Sequence, residues 1–169
     1  AGAGAHGGNG GAGEEINTNS KRVFPGGIAF GDPMAPVTKG AGGGAGIGYD
    51  GGDGGGAFKL TITGSANILG TMSSNGSQGY GDNYSPGGAG AGGSIWLDVG
   101  TLTGNGLIRA NGADGTDKVY GDSGGGAGGR IAISYDTDTY TGTLESLGGL
   151  GPGAASAGGA GSIYLKDNA

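Results

Sequence analysis

Residues 124–134 read GGGAGGRIAIS, a glycine run that passes directly into a strand-like stretch of alternating apolar residues. Joins of the same kind occur at residues 54–62 (GGGAFKLTI), 87–98 (GGAGAGGSIWLD) and 158–165 (GGAGSIYL). Alignment of the four joins gives two apolar columns, which are Phe58, Ile95, Ile131 and Ile163, and then Leu60, Leu97, Ile133 and Leu165. Side chains two residues apart share one face of a strand, so the alternation predicts four strands, each buried on one face.

A second element recurs every 36 residues. Its three copies are Gly70-Thr-Met72, Gly106-Leu-Ile108 and Gly142-Thr-Leu144. A repeat that cannot bury its own apolar face must stack on its neighbours. We therefore predict an all-β, glycine-rich β-solenoid-like repeat with extended polyglycine segments and no helices. The glycine runs fit either polyglycine-II-like rods or flat solenoid walls. A meander of antiparallel hairpins is a third arrangement that the spacing allows.

The chain divides into two parts of one domain. Residues 1–57 form an irregular glycine-rich part, and residues 58–169 form stacked repeats of about 36 residues. The first part contains a polar excursion at residues 14–25 (EEINTNSKRVFP), with Ile16, Val23 and Phe24 as its apolar anchors. In the second part, the Asn-Gly pairs at residues 75–76 and 111–112 predict turns with positive φ.

Composition excludes several classes of protein. Glycine occupies 50 of 169 positions but has no strict three-residue period, which argues against a collagen triple helix. The net charge is -6 with only 8 Lys and Arg, so we expect no nucleic-acid partner. We expect no membrane insertion, because no apolar run has transmembrane length. There is no cysteine, hence no disulfide framework. The Gly/Ala run at the start lacks an initiator Met, so we expect a processed product or a segment of a longer protein.

The chain resembles a glycine-rich repeat family of large secreted and cell-surface proteins, whose pattern has an opening GxGHGGxGG and then GGGxGGxIxI strands separated by GxIxANG turns. The matching stretches here are Gly4-Ala-His6-Gly-Gly-Asn-Gly-Gly11, the strands SIWLDV and RIAISY, and Gly106-Leu-Ile-Arg-Ala-Asn-Gly112. An extra Ala before His6 and an insertion at residues 14–24 depart from the pattern. The resemblance implies an extracellular or cell-surface location and a repeat architecture, and it implies no catalytic residues.

Candidate chemistry is sparse. His6 is the single histidine, and the sequence contains no GxSxG motif to pair with it, so we interpret His6 as a link between glycine backbones. The carboxylates show no paired pattern of the kind that glycoside hydrolysis needs. We therefore predict that the protein is not an enzyme.

Aspartates in glycine-rich loops are weak candidates for calcium ligands, because calcium prefers oxygen donors. The candidates are Asp50, Asp53, Asp114, Asp117 and Asp122. Their spacing matches neither an EF-hand loop nor the repeat of calcium-binding β-rolls. Solvated turn residues are the alternative interpretation, and no other cofactor is indicated.

Two functions remain compatible with these patterns. The first is a structural module of a surface fibre, sheath or adhesin that self-associates, because terminal coils of a solenoid expose strand edges and apolar ends. The second is a recognition module for glycans or a receptor, which would use the loops at residues 80–86, 116–123 and 137–141. Possible ligand or subunit contacts are Trp96 and Tyr164, expected on the outer face of adjacent coils, and Tyr80 and Tyr84 in a loop.

Overall fold

The computed structural model describes residues 1–17 and 20–169, which form β-strands and extended glycine-rich segments without a helix. These elements wind into a β-solenoid of about 3 turns with stacked coils, which confirms the predicted fold class. The strands are β1 (Gly13–Asn17), β2 (Ser20–Phe24), β3 (Ala57–Ile68), β4 (Thr71–Ser73), β5 (Ser94–Gly104), β6 (Leu107–Arg109), β7 (Gly121–Asp122), β8 (Arg130–Tyr140), β9 (Thr143–Glu145) and β10 (Ser162–Asp167).

The first wall of the solenoid is a four-stranded parallel sheet in the order β10-β8-β5-β3. Its register places Phe58 beside Ile95, Ile95 beside Ile131, and Ile131 beside Ile163, which confirms the column predicted from the aligned joins. The alternative of a meander of antiparallel hairpins is wrong for this wall. Parallel neighbours need a long crossover between them, and the glycine-rich segments provide that return path.

The second wall is a smaller parallel sheet in the order β4-β6-β9. Met72, Ile108 and Leu144 form one column in it, as the 36-residue step predicted. The core lies where the two walls face each other. Its fully buried large side chains are Ile95, Leu97, Leu102, Ile108, Ile131 and Ile133.

The glycine-rich segments are extended rods that hydrogen-bond to one another at every third residue. The rod at residues 87–93 donates to the rod at residues 74–80 in the pairs Gly87–Tyr80, Gly90–Ser77 and Gly93–Ser74. A polyproline II helix has three residues per turn and no internal hydrogen bonds, so its peptide groups return to the same neighbour with this period. Of the two arrangements that the sequence left open for the glycine runs, this period matches the polyglycine-II-like rods, and the walls are built from the strands.

The rods pack so closely that side chains are excluded between them. A Cβ on Gly90 would overlap the carbonyl oxygen of Asp53, one on Gly126 would overlap that of Gly90, and one on Gly158 would overlap that of Gly126. Rods from the first part of the chain join the same lattice, because the N–H of Ala127 donates to the carbonyl oxygen of Gly4 (3.1 Å). The glycine content is thus a packing requirement of the lattice.

Asparagine side chains link successive rungs where the chain leaves the second wall. Asn75 Oδ1 accepts from the N–H of Asn111 (2.9 Å), and Asn111 Oδ1 accepts from the N–H of Leu147 (2.9 Å). The predicted positive φ at the two Asn-Gly pairs is wrong, because each carboxamide binds the next rung and the chain stays extended. Positive φ in the described part of the chain is confined to Gly31, Gly48, Gly104 and Gly153.

A third sheet, antiparallel and in the order β2-β1-β7, occupies the region that the sequence presented as a polar excursion. The hairpin of β1 and β2 places Glu15 opposite Arg22, and β7 pairs with the other edge of β1. Lys21 forms an ion pair with the buried carboxylate of Glu14. Mostly polar strands gave no apolar alternation, so this sheet was missed. The side chain of Ile16, an expected anchor, lies outside the described part of the chain.

Candidate functional site

The turns that join successive rods gather at the end of the rods remote from the walls. We call this region the loop tip. The rod at residues 74–80 runs away from the second wall, and the rod at residues 87–93 returns to the first wall. Neighbouring turns are tied together there, since the N–H of Tyr80 donates to the carbonyl oxygen of Asp50 (3.0 Å). The loop tip consists of residues 46–49, 80–87, 116–123 and 151–156 with the hairpin of β1 and β2.

The loop tip concentrates aromatic side chains. Four of the seven tyrosines are on it, namely Tyr49, Tyr80, Tyr84 and Tyr120. The rings of Tyr84 and Tyr120 are stacked, with centroids 4.7 Å apart and planes 12° from parallel. Sequence reasoning singled out Tyr80 and Tyr84 but missed Tyr120. The signal was available, because Tyr120 follows Tyr84 at the same interval that aligns the strands.

Local hydrogen bonds hold this aromatic pair in place. Asp82 Oδ1 accepts from the N–H of Tyr84 (2.9 Å) and from the N–H of Ser85 (3.0 Å). These two donors, chiefly the one from Tyr84, lower the pKa of the Asp82 carboxyl, because they stabilise its charged form. The N–H of Tyr120 donates to the carbonyl oxygen of Asn83 (3.0 Å), which joins the two loops that carry the rings.

A cleft of about 230 Å³ opens beside the aromatic pair. Tyr84 and Pro86 line it from the loop side, and Phe24 and Ile47 add apolar surface. The cross-strand neighbours Glu15 and Arg22 supply one acceptor group and one donor group to the same cleft. The lining therefore combines two aromatic rings, aliphatic surface and two side chains of opposite charge.

The aromatic residues predicted on the wall do not form a joint surface. The column on the outer face runs Lys59, Trp96, Ala132, Tyr164, so Trp96 and Tyr164 are two strands apart and not on adjacent coils as expected. Two strand spacings amount to about 9–10 Å, so the two rings do not touch and do not form a continuous aromatic surface. Lys59 Nζ lies 3.5 Å from the centroid of the Trp96 ring in a cation–π contact.

The predicted calcium candidates are spread along the loop tip and the rods. Asp114 Oδ1 accepts from the N–H of Leu150 (2.7 Å), and Asp122 Oδ2 accepts from the N–H of Ala154 (3.0 Å). Within residues 1–17 and 20–169, no three His, Asp or Glu side chains converge closely enough to hold a metal ion. Calcium binding by Asp50, Asp53, Asp114, Asp117 or Asp122 stays a prediction.

His6 lies buried on the outer face of the first wall, in a cluster with Arg130. The ring nitrogen Nδ1 is 2.9 Å from the carbonyl oxygen of Gly92, which can only accept, so Nδ1 carries the proton. Nε2 then accepts from the Thr38 hydroxyl (2.9 Å). The Arg130 guanidinium donates to the carbonyl oxygen of Phe30 through Nε (3.1 Å) and Nη2 (2.8 Å). The cluster fastens the first rod and the loop at residues 28–39 to the wall.

Acidification should weaken this fastening. Burial lowers the pKa of His6, and the nearby Arg130 charge lowers it further, while the Gly92 carbonyl opposes the shift. The unfolded chain therefore binds more protons than the folded protein once the pH falls below the ordinary pKa of 6.5, and the folded state loses stability. We expect the urea midpoint to fall between about pH 7.5 and 5, with a smaller pH dependence in His6→Gln. Equal slopes in the two proteins would contradict the assignment.

Comparison of the chain with known protein families, with curated proteins and with solved structures gives no match. In the described part of the chain there is also no helix long and apolar enough to cross a membrane.

Proposed function

We propose that this chain is a structural, self-assembling module of an extracellular surface fibre, sheath or adhesin. One observation carries the proposal: both ends of the first wall present an open parallel strand edge with exposed apolar side chains. Phe58 and Leu60 on β3 are 37% and 40% exposed, and Ile163 and Leu165 on β10 are 42% and 46% exposed. The extracellular location rests on the resemblance of the glycine-rich joins to those of secreted and cell-surface proteins.

Open strand edges are templates for pairing with another chain. β3 is 12 residues long and is paired only with β5 in the sheet order, so its other edge is free within the described structure. Two features of β3 discourage pairing with another chain, namely the charged residue Lys59 and an irregularity in register between Ile62 and Ser65. At the opposite end, β10 covers the first half of β8 and is itself uncovered within the described residues.

The two edges fit a head-to-tail contact between copies. All strands of the wall run in the same direction, so β3 of one copy can continue the sheet beside β10 of the next. The register inside the chain places Phe58 at the column of Ile163 and Leu60 at the column of Leu165. A contact between two different surfaces does not close on itself after one step, and it therefore generates filaments or rings.

Charge substitutions at the two edges test the contact. We expect Phe58→Glu and Ile163→Lys each to remain folded and monomeric, because the replaced side chains are partly exposed and an unpaired charge is costly to bury at the joint. An equimolar mixture of the two should form heterodimers, since the unaltered β10 of the Phe58→Glu protein can still pair with the unaltered β3 of the Ile163→Lys protein. Analytical ultracentrifugation of each protein and of the mixture measures this, with electron microscopy of the native protein for filaments.

The control is Val119→Glu, which adds the same charge as Phe58→Glu at an exposed position of the loop tip and should leave association unchanged. A native protein that stays monomeric at all attainable concentrations would overturn the proposal. Association that survives both edge substitutions would place the contact elsewhere on the surface.

A further inference from the structure

We propose that the cleft at the loop tip binds a neutral saccharide, with the stacked Tyr84 and Tyr120 rings as its platform. This inference does not depend on the edge contact, because the loop tip lies at the other end of the rods from the walls. It concerns the aromatic pair, the adjoining cleft and the charge pair of Glu15 and Arg22.

The platform is exposed and preorganised. Tyr84 and Tyr120 are 62% and 44% exposed, although large aromatic side chains gain free energy when they are buried. Asp82 and the main chain of Asn83 fix the loops that carry both rings. A site that is ordered before binding loses little conformational entropy when a ligand arrives.

The geometry of the pair suits the face of a sugar ring. The face of an aromatic ring carries negative partial charge. The C–H bonds on the apolar face of a pyranose carry a small positive partial charge, so they are attracted to it. Two stacked rings also offer two phenol hydroxyls that can donate to or accept from sugar hydroxyls. Phe24 and Ile47 extend the apolar surface into the cleft.

The charges of the cleft favour a ligand without net charge. Glu15 and Arg22 are cross-strand neighbours of opposite sign. Of the other charged groups in the lining, Glu14 is paired with Lys21, and the Ala1 ammonium group donates to the carbonyl oxygen of Pro86 (3.0 Å). A carboxylate accepts hydrogen bonds from hydroxyls and a guanidinium donates to them, so the pair can bind a diol. The whole protein carries a net charge of -6, which works against polyanionic glycans and nucleic acids.

The size of the cleft indicates a chain laid across it. Pockets that enclose small molecules usually measure ~300–1,000 Å³, and this cleft measures about 230 Å³. It is open to the loop surface, where Tyr80 is a further exposed aromatic residue. We infer that one sugar residue occupies the cleft while neighbouring residues of a polysaccharide lie along the loop tip.

Affinity electrophoresis through gels that contain a soluble glucan, mannan, galactan or xylan tests the proposal. We expect at least one neutral polysaccharide to retard the native protein. Tyr84→Ala and Tyr120→Ala should each weaken the retardation by about tenfold, and Tyr84→Phe should retain most of it because the ring remains. Tyr164→Ala is the matched control, since it removes the same side chain from the wall. Thermal unfolding shows whether each variant is folded. We expect all of them to fold, because the replaced rings are at least partly exposed and their loss removes little buried surface.

Three results would overturn the proposal. One is the absence of retardation by all four neutral polysaccharides. Another is binding that Tyr84→Ala leaves unchanged but Tyr164→Ala or Trp96→Ala abolishes, which would move the site to the wall. The third is retardation by a charged polysaccharide, alginate or heparin, or binding of a proline-rich peptide, with no retardation by any neutral polysaccharide. The peptide is included because aromatic grooves also bind polyproline II segments.

Discussion

Gly126→Ala is expected to lower the free energy of unfolding by about 3 kcal/mol or more, a large fraction of the ~5–15 kcal/mol of an ordinary domain. The added methyl group would overlap the carbonyl oxygen of Gly90 in the adjacent rod. The rod cannot move aside easily, because the N–H of Gly126 donates to Ala113 (2.8 Å) and its carbonyl accepts from Gly149 (2.8 Å). Relief of the overlap therefore requires the loss of hydrogen bonds in a buried lattice.

Gly64→Ala is the matched control for this effect. No atom lies within 4 Å of a Cβ built on Gly64, and its φ is not positive. We expect its stability to be unchanged or raised by up to about 1 kcal/mol, because alanine restricts the unfolded chain. Urea unfolding followed by the fluorescence of Trp96, the single tryptophan, measures both variants. Equal stability of Gly126→Ala and Gly64→Ala would show that the rods are not packed as described.

Ile131→Ala is expected to lower the free energy of unfolding by about 2–5 kcal/mol and the melting temperature by roughly 5–15 °C. Ile131 is fully buried between Ile95 and Ile163 in the first wall, and truncation leaves a cavity there. The same substitution at Ile163, in the same column but 42% exposed, should lower the free energy by less than about 1.5 kcal/mol. Differential scanning calorimetry in dilute solution compares the two variants.

The comparison also bears on assembly. If copies join through β10, Ile163 becomes buried at high protein concentration, and the melting temperature of the native protein should then rise with concentration. Ile163→Ala should lose that rise. A large loss of stability for Ile163→Ala even in dilute solution would mean that this edge is covered within one chain.

Much of the scaffold could be predicted from sequence because apolar period and repeat interval act together. The period of two assigned Ile95 and Ile131 to the inner face of strands, and the repeat aligned them into a column that the structure reproduces. The repeat interval could not predict the backbone conformation of the glycine runs. Glycine has no side chain to report a period, so the hydrogen bonding at every third residue became visible only in three dimensions.

The site was only partly predictable. Tyr84 was recognised as an exposed loop residue, but its contact with Tyr120 depends on two loops of different sequence that the rods bring into register. The hairpin of β1 and β2 was missed because its strands are polar, and it contributes Arg22 and Phe24 to the cleft. Conversely, Trp96 and Tyr164 share a column as outward residues but are separated by the rung of Ala132, a separation that the aligned joins already contained.

The arrangement of turns has a consequence for how such a protein can change. Each rung adds one strand to each wall and one turn to the loop tip, as the turns at residues 80–87, 116–123 and 151–156 show. Duplication of a repeat would therefore add one loop to the loop tip without altering those already there. Because the lattice relies on main-chain hydrogen bonds and glycine, the loops can diverge in sequence while the scaffold is kept. Scaffold stability and ligand choice are thereby placed under separate mutational control.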